Sequence, residues 1–386
     1  MLSQKPLDRC PRAIHRMAIL FETLFNIIAE PKETVYIFAR KCHRVGKPAK
    51  PNEMERGFMS WTCHLDETDV QEYVGKVLGT GYVVADVTKM HGGAQKVVYK
   101  IQCQNGFSCV LYVWDLTKNY FQEEIGNESV HERSFGGHSF EINNRWLKEH
   151  GISTPALYDL HTERERYPFD YALVEYMEGQ KAEAYFQHPD QRVRDEVFER
   201  VGNMIARMHA NHRENYGKPD QSCNQRERCH LVQLENAKEQ LSYIILHNES
   251  IRNNHDRLLA ILHELESRID SRRRYGFIHG ELGPDHILVT DRLEPYLIDI
   301  EGAQYFDIEH EHTFLELRFG KHYHYLHQTG LDLNRMLFYR LHHYISLTSG
   351  GLKLLHRGFP DQAFASNLAD YHARNTIRFI EEWQQT

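Results

Sequence analysis

Two short runs of β-branched and aromatic residues, Val97-Val98-Tyr99 and Val110-Leu111-Tyr112-Val113, flank the dipeptide Asn105-Gly106. Runs of this kind read as strands. Asn-Gly between them predicts a tight hairpin with positive φ at both central residues. Farther along, the period lengthens. In "SFEINNRWLKEHGISTP", Phe140, Asn144 and Leu147 share one helical face, Ile142 and Trp146 form a second i,i+4 pair, and Gly151 ends the element. "DYALVEYMEG" returns to a buried strand that stops at Gly179. Val197, Val201, Ile205 and Met208 line one face of an amphipathic helix. Leu234, Ala237, Leu241 and Ile245 keep helical phase through the charged stretch 225–275. Then come a loop, a strand over 286–290, a turn and a strand over 296–300. Residues 309–386 are helix-rich and full of His and Tyr. Strands early and helices late predict an α+β arrangement in two lobes.

Composition narrows the class. The 386 residues are 41% hydrophobic and 26% charged, the balance of an ordinary globular protein. No run approaches the roughly 20 apolar residues of a membrane span. The net charge of −8 excludes bulk attraction to nucleic acid. Residues 1–58 hold 11 Lys/Arg against 6 Asp/Glu, a net of +5 that leaves −13 on the rest. The stretch "RVGKPAKPNEMERGFM" marks the boundary. Residues 1–58 are therefore expected to be a basic appendage, disordered or not native, with translation from Met54 or Met59 as the other reading. Seven unpatterned cysteines, none in a CxxC, point to free thiols in a reducing, cytoplasmic compartment. Cys223 and Cys229 could form a bridge or bind a metal.

The chemistry gathers in "FIHGELGPDHILV" and "LIDIEGA". Glu281 and Asp299 each stand beside a buried aliphatic strand, where side chains converge. Phosphoryl transfer needs few parts: a carboxylate for the hydroxyl proton, ligands for a divalent cation, and a cation with backbone N–H groups on the phosphates. Glu281, His286 and Asp299 are spaced for that work. Gly92-Gly93 before the first strand run is a turn that lets backbone approach phosphate closely.

From about residue 75 onward the chain resembles the aminoglycoside phosphotransferase and choline kinase-like family. Its catalytic loop reads His-Gly-Asp, four residues, Asn; here it is His279-Gly280-Glu281, four residues, His286. Its metal-binding "Ile-Asp-Trp-Glu-x-Ala" corresponds to "IDIEGA" with Asp299 and Glu301, and Asp307 and Glu311 hold the offset of the Asp-Pro-x-x-Asp that follows. "FEINNRWLKEHGISTP" resembles the helix whose Glu, here Glu141, pairs with the nucleotide lysine. "LVEYMEG" resembles the hinge that bonds adenine through backbone, at Glu175 to Met177. "IARMHANH" resembles the helix under the loop. The resemblance implies a protein-kinase-like fold: an N-lobe antiparallel sheet over 59–180 and a helical C-lobe over 181–386. It implies ATP, Mg²⁺ (or Mn²⁺) and a small-molecule hydroxyl acceptor, in a monomer or homodimer without nucleic-acid or membrane partners. Glu281 is then the base, His279 a support of the loop, and His286, Asp299 and Glu301 the metal shell.

Three positions depart from the pattern. Glu281 carries its carboxylate one methylene farther out than Asp. His286 offers imidazole where Mg²⁺ prefers oxygen, a change that suits Mn²⁺ to Zn²⁺ better. Tyr112 occupies the place of the nucleotide lysine, and a phenol brings no charge. Lys100 on the partner strand is the expected substitute, with Lys96 and Lys118 as further candidates. Two readings stay open: a working ATP-dependent O-phosphotransferase, or a catalytically impaired kinase-like protein that binds nucleotide or a small ligand. The histidines of "DIEHEHTF" and "KHYHYLH" raise a third question, metal binding or a polar wall of the substrate cleft.

Overall fold

The computed structural model describes residues 63–90, 95–127, 135–221 and 228–385. The basic appendage, Gly92-Gly93 and Cys223 lie outside them. The first described helix, α1 (Glu67–Leu78), precedes strands β1 (Val84–Lys89), β2 (Val97–Cys103) and β3 (Ser108–Trp114). Helix α2 (Gly137–Glu149) follows, then β4 (Leu157–His161) and β5 (Asp170–Glu175). These strands form one antiparallel sheet in the order β1-β2-β3-β5-β4.

The hairpin is present, but its turn differs from the expected one. Cys103 O accepts from Gly106 N and Cys103 N donates to Phe107 O, so the loop has three residues. Gly106 alone has positive φ, at 86°. Asn105 instead caps the turn, its Oδ1 accepting from Phe107 N at 3.0 Å.

Alternation in β2 and β3 divides the core. Tyr99, Ile101, Leu111 and Val113 pack with Val70 and Val74 of α1 on one face. Val110, Tyr112 and Trp114 face the other way, against Phe140 and the helical body. The expected faces of α2 are buried: Phe140, Ile142, Asn144, Trp146 and Leu147 all lie inside. The helix ends just before Gly151, whose φ of 68° is the left-handed conformation a glycine adopts without steric cost.

The body continues with β6 (Gln180–Lys181), α3 (Gln191–His209), β7 (His212–Arg213), α4 (Cys229–His247) and α5 (His255–Ser267). Val197, Val201, Ile205 and Met208 of α3 are fully buried. In α4 the buried face runs through Leu234, Ala237, Leu241 and Ile244, so Ile245 is not the fourth core position. The chain then lays down β8 (Tyr275–Ile278), β9 (Ile287–Val289), β10 (Pro295–Leu297) and β11 (Gln304–Phe306). Last come α6 (Ile308–Phe319), α7 (Leu333–His356) and α8 (Gln362–Trp383). β10 stops at Leu297, earlier than the expected strand over 296–300, because Asp299 turns into the left-handed region at φ 58°. No described helix is long and apolar enough to cross a membrane.

Two of the joints between the sheet and the helical body lie at residues 153–154 and at Gly179. Leu297 N donates to Ser153 O and Thr154 Oγ1 donates to Leu297 O, both at 2.9 Å. Gly179 passes so close to β9 that a Cβ there would stand 2.5 Å from Val289 O.

Candidate active site

The loop 279–286 leaves β8 and re-enters the core at β9. Gly280 turns it with φ 97°, strained for any other residue. Below it sits Glu311 of α6, fully buried. One carboxylate oxygen accepts from the backbone N–H of both His279 and Gly280 at 2.9 Å. The other lies 2.6 Å from His209 Nε2 of α3. Glu311 thus pins the loop by its backbone, and Gln328 holds the far nitrogen of His209 at 3.1 Å.

The loop's own side chains diverge from there. His279 is buried and donates from Nε2 to Ile298 O at 2.9 Å. Burial, and then the neighbouring His286, hold its pKa below the ordinary imidazole value. His286 stacks near it, ring centroids 5.6 Å apart. Its Nδ1 donates to Glu281 O at 2.8 Å, which leaves Nε2 with the lone pair in the neutral ring. That Nε2 faces Asp299 Oδ2 across 3.7 Å. Glu281 is exposed at the loop's tip. Asp285 Oδ2 lies equally near His286 Nε2, at 3.7 Å, while its Oδ1 pairs with Arg318 at 2.6 Å; burial opposes its ionisation, but the guanidinium holds its pKa below the usual carboxylate range.

Of the three candidate lysines, Lys96 is the one that meets the acids. Its Nζ lies 2.6 Å from Asp299 Oδ1 and 2.6 Å from Glu301 Oε1. It also rests 4.7 Å from the centre of the Tyr112 ring. Burial alone would lower the lysine's pKa, yet Asp299 and then Glu301 outweigh it and hold the ammonium protonated. Reciprocally, burial would raise Asp299, and Lys96 followed by His286 pulls it below the ordinary carboxylate range. Trp114 Nε1 donates to the same Glu301 oxygen at 2.9 Å. Strand register explains the substitution. Val98 pairs with Tyr112 and Val97 with Val113, so Lys96 lies on the cleft face diagonal to Tyr112. The register thus brings a lysine from one strand over beside the Tyr112 ring.

The other expected residues are placed as follows. Lys100 is not with the acids: its Nζ stands 4.0 Å over the Tyr176 ring. Glu141 is half-buried and forms no ion pair among the described residues. The helix α2 reaches the acidic turn through Asn143 instead, whose Nδ2 donates to Ile300 O at 2.8 Å and Glu301 O at 3.2 Å. Glu301 is buried and engaged by Lys96 and Trp114, so it is the lysine's partner rather than an open ligand. Glu175 accepts from Ala156 N at 2.9 Å through its carboxylate, and Met177 lies half-buried in the extended segment after β5. Asp307 is buried under Arg272, Arg335 and the hydroxyl of Tyr339. His322 is no cleft wall; it stacks on Phe186 at 4.8 Å within the core. Asn143 escaped the sequence reading because its partners lie more than 150 positions away, and Lys96, one of three candidate lysines, is singled out only by carboxylates more than 200 positions away.

Residues 138–315 match the phosphotransferase enzyme family, and the family resemblance read from the motifs therefore holds. The fold is the kinase-like fold of aminoglycoside phosphotransferases. A thermostable mutant of aminoglycoside phosphotransferase APH(4)-Ia aligns over 79% of this chain and 98% of its own, with 16% identity and a TM-score of 0.55. Spectinomycin phosphotransferase APH(9)-Ia, solved with ADP and spectinomycin, aligns over 84% of this chain and 100% of its own, with 13% identity and a TM-score of 0.57. LicA, solved with AMP, covers 81% of this chain and 98% of its own, with 13% identity and a TM-score of 0.51. At these identities the likeness is one of fold. No curated protein sequence matches the chain.

Proposed function

We propose that this protein is an ATP-dependent O-phosphotransferase acting on a small polyhydroxyl or cationic acceptor. The carrying observation is the Lys96 ammonium held between Asp299 and Glu301, 2.6 Å from each, beside a loop that keeps an exposed carboxylate at 281. A buried, protonated lysine anchored by one carboxylate is the charge that nucleotide phosphates require. The family match and nucleotide-bound structures of the same fold support the reading.

In this reading the sheet of residues 59–180 is the nucleotide lobe and 181–386 the acceptor lobe. Met177 and Glu175 offer backbone to adenine, and Gly92-Gly93 and Lys96 meet the phosphates. The donor set fits a divalent cation: His286 Nε2 and Asp299 Oδ2 face each other at 3.7 Å with no proton between them in the neutral ring. One carboxylate and one imidazole suit Mn²⁺ at least as well as Mg²⁺. Bound there, the cation would neutralise phosphate charge. Glu301 keeps Lys96 in place when the phosphates draw it from Asp299. Glu281 accepts the acceptor hydroxyl's proton as that oxygen bonds to the γ-phosphorus and the bond to the β–γ bridging oxygen breaks. The −13 balance outside residues 1–58 favours a cationic acceptor. The free Cys63, Cys103, Cys109 and Cys229 accord with a cytoplasmic site of action.

The test is ADP release from the purified chain with ATP and Mg²⁺ or Mn²⁺ over a panel of aminoglycosides, macrolides, amino alcohols and sugars. Turnover with one class, lost in Asp299→Ala, is the expected result. Absence of any nucleotide-dependent shift in Tm with either ion would overturn the reading. A shift without turnover, still lost in Asp299→Ala, would assign the chain to nucleotide binding alone.

A further inference from the structure

Away from the cleft, three histidines converge inside the helical body. His310 of α6 and His342 and His343 of α7 each bring one ring nitrogen within 4.8 Å of the other two. All three are buried. Sequence spacing hides the group, because His310 stands more than thirty positions from the other two and only the α6–α7 packing unites them.

The outer contacts prepare these rings as ligands. His343 Nε2 lies 2.9 Å from His310 O, a carbonyl that only accepts, so that nitrogen carries the proton. His342 Nε2 lies 3.1 Å from Asn236 Oδ1 of α4, with the same consequence. In both neutral rings the lone pair is therefore on Nδ1. The Nδ1 atoms of His310 and His342 are buried and make no hydrogen bond. An unpartnered buried nitrogen is unfavourable, so two in one cluster ask for a common partner. Burial holds all three imidazoles in the neutral form that binds metal.

The geometry points to a three-histidine site for a zinc-class divalent ion in the helical body, binding His310, His342 and His343 with water in the fourth position. Neutral imidazoles without a carboxylate suit Zn²⁺ or Co²⁺ and not Mg²⁺. A tetrahedral site with Zn–N of about 2.0–2.1 Å needs nitrogens roughly 3.4 Å apart. The rings close on the ion by about 1 Å or a little more, within reach of side-chain rotation. Hydrogen bonds from ligand rings to a carbonyl and an amide oxygen are the usual outer support of such sites. The ion would tie α6 to α7 one residue from Glu311, which pins the catalytic loop. Its role is to brace the body under the active site.

Co²⁺ titration of the full chain, stripped with EDTA, tests this. The Asp299→Asn variant serves as the background, so that the cleft does not contribute. The expected result is one equivalent bound, with the visible bands of tetrahedral Co²⁺ and a rise of several degrees in Tm on Zn²⁺ addition. His310→Gln and His342→Gln should each abolish the bands while far-UV circular dichroism shows the fold retained. If either variant unfolds, zinc content of the Asp299→Asn chain purified without chelator decides, with about one equivalent expected. No bands and no shift in the background chain, bands that persist in both folded variants, or zinc content near zero would each overturn the assignment.

Discussion

Lys96, one residue before β2, closes a 2.6 Å ion pair with Asp299 at the far side of the cleft. The two lie 203 positions apart, and the pair joins the sheet directly to the turn after β10. Lysine at 96 and tyrosine at 112 together fill the cleft face of the sheet beside the acidic turn. The ring packs against Phe140, 5.4 Å between centroids, and the ammonium lies over its face.

Lys96→Met should therefore lower kcat/KM for ATP by about 10²-fold or more, the scale of losing one charged contact to the transition state. Lys100→Met should leave it nearly unchanged. A Lys96→Met/Tyr112→Lys double variant should recover part of the loss, because Lys at 112 starts from the same face of the sheet. Steady-state kinetics on the three proteins checks this. Equal losses at 96 and 100 would refute the assignment.

Glu281→Gln keeps the size of the side chain and removes the base. The expected effect is a kcat lower by about 10²–10⁴-fold with KM for ATP little changed. Glu281→Asp shortens the reach and is expected to fall between the two. An unchanged kcat in Glu281→Gln would move the base elsewhere.

His286→Asn replaces imidazole by a carbonyl oxygen and should shift the preferred ion from Mn²⁺ toward Mg²⁺. The measurement is the ratio of rates with the two ions, which normalises any general loss.

Glu311→Ala removes the acceptor of two loop N–H groups and the partner of His209. Each buried donor left unsatisfied costs about 1–3 kcal/mol. The variant should melt lower, and a surviving fold should show loss mainly in kcat, since the loop carries Glu281 and the cation ligand His286 while Lys96 and the backbone offered to adenine lie outside it. Thermal melts alongside kinetics separate the two effects.

His322 supplies a pH dependence. Burial, then Lys321, lowers its pKa from 6.5 to about 4. The unfolded chain thus binds a proton there more readily than the folded one. Its contribution to stability is whole above pH 6.5 and is lost as pH falls toward 4. His322→Phe, which keeps the stacking on Phe186 and Phe198, should flatten the fall of Tm over that window.

Sequence alone determined the local elements and the motif loop. Periodicity placed the β2–β3 hairpin, α2 and α3, since burying an apolar stripe depends on neighbours two, three or four residues away. The spacing of His279, Gly280, Glu281, His286, Asp299 and Glu301 carried the family resemblance, because one hairpin presents them all. Only tertiary structure decided which lysine enters the cleft. Lys96, Lys100 and Lys118 are alike in sequence, and the choice followed from strand register and the position of the acidic turn across the cleft. Tertiary packing likewise left Glu141 without the expected lysine among the described residues, while Asn143 of the same helix met the backbone of the acidic turn, and it brought His310 to His342 and His343. Charge and lone pairs find partners by distance in space, and the packing of separate elements, absent from any local pattern, sets that distance.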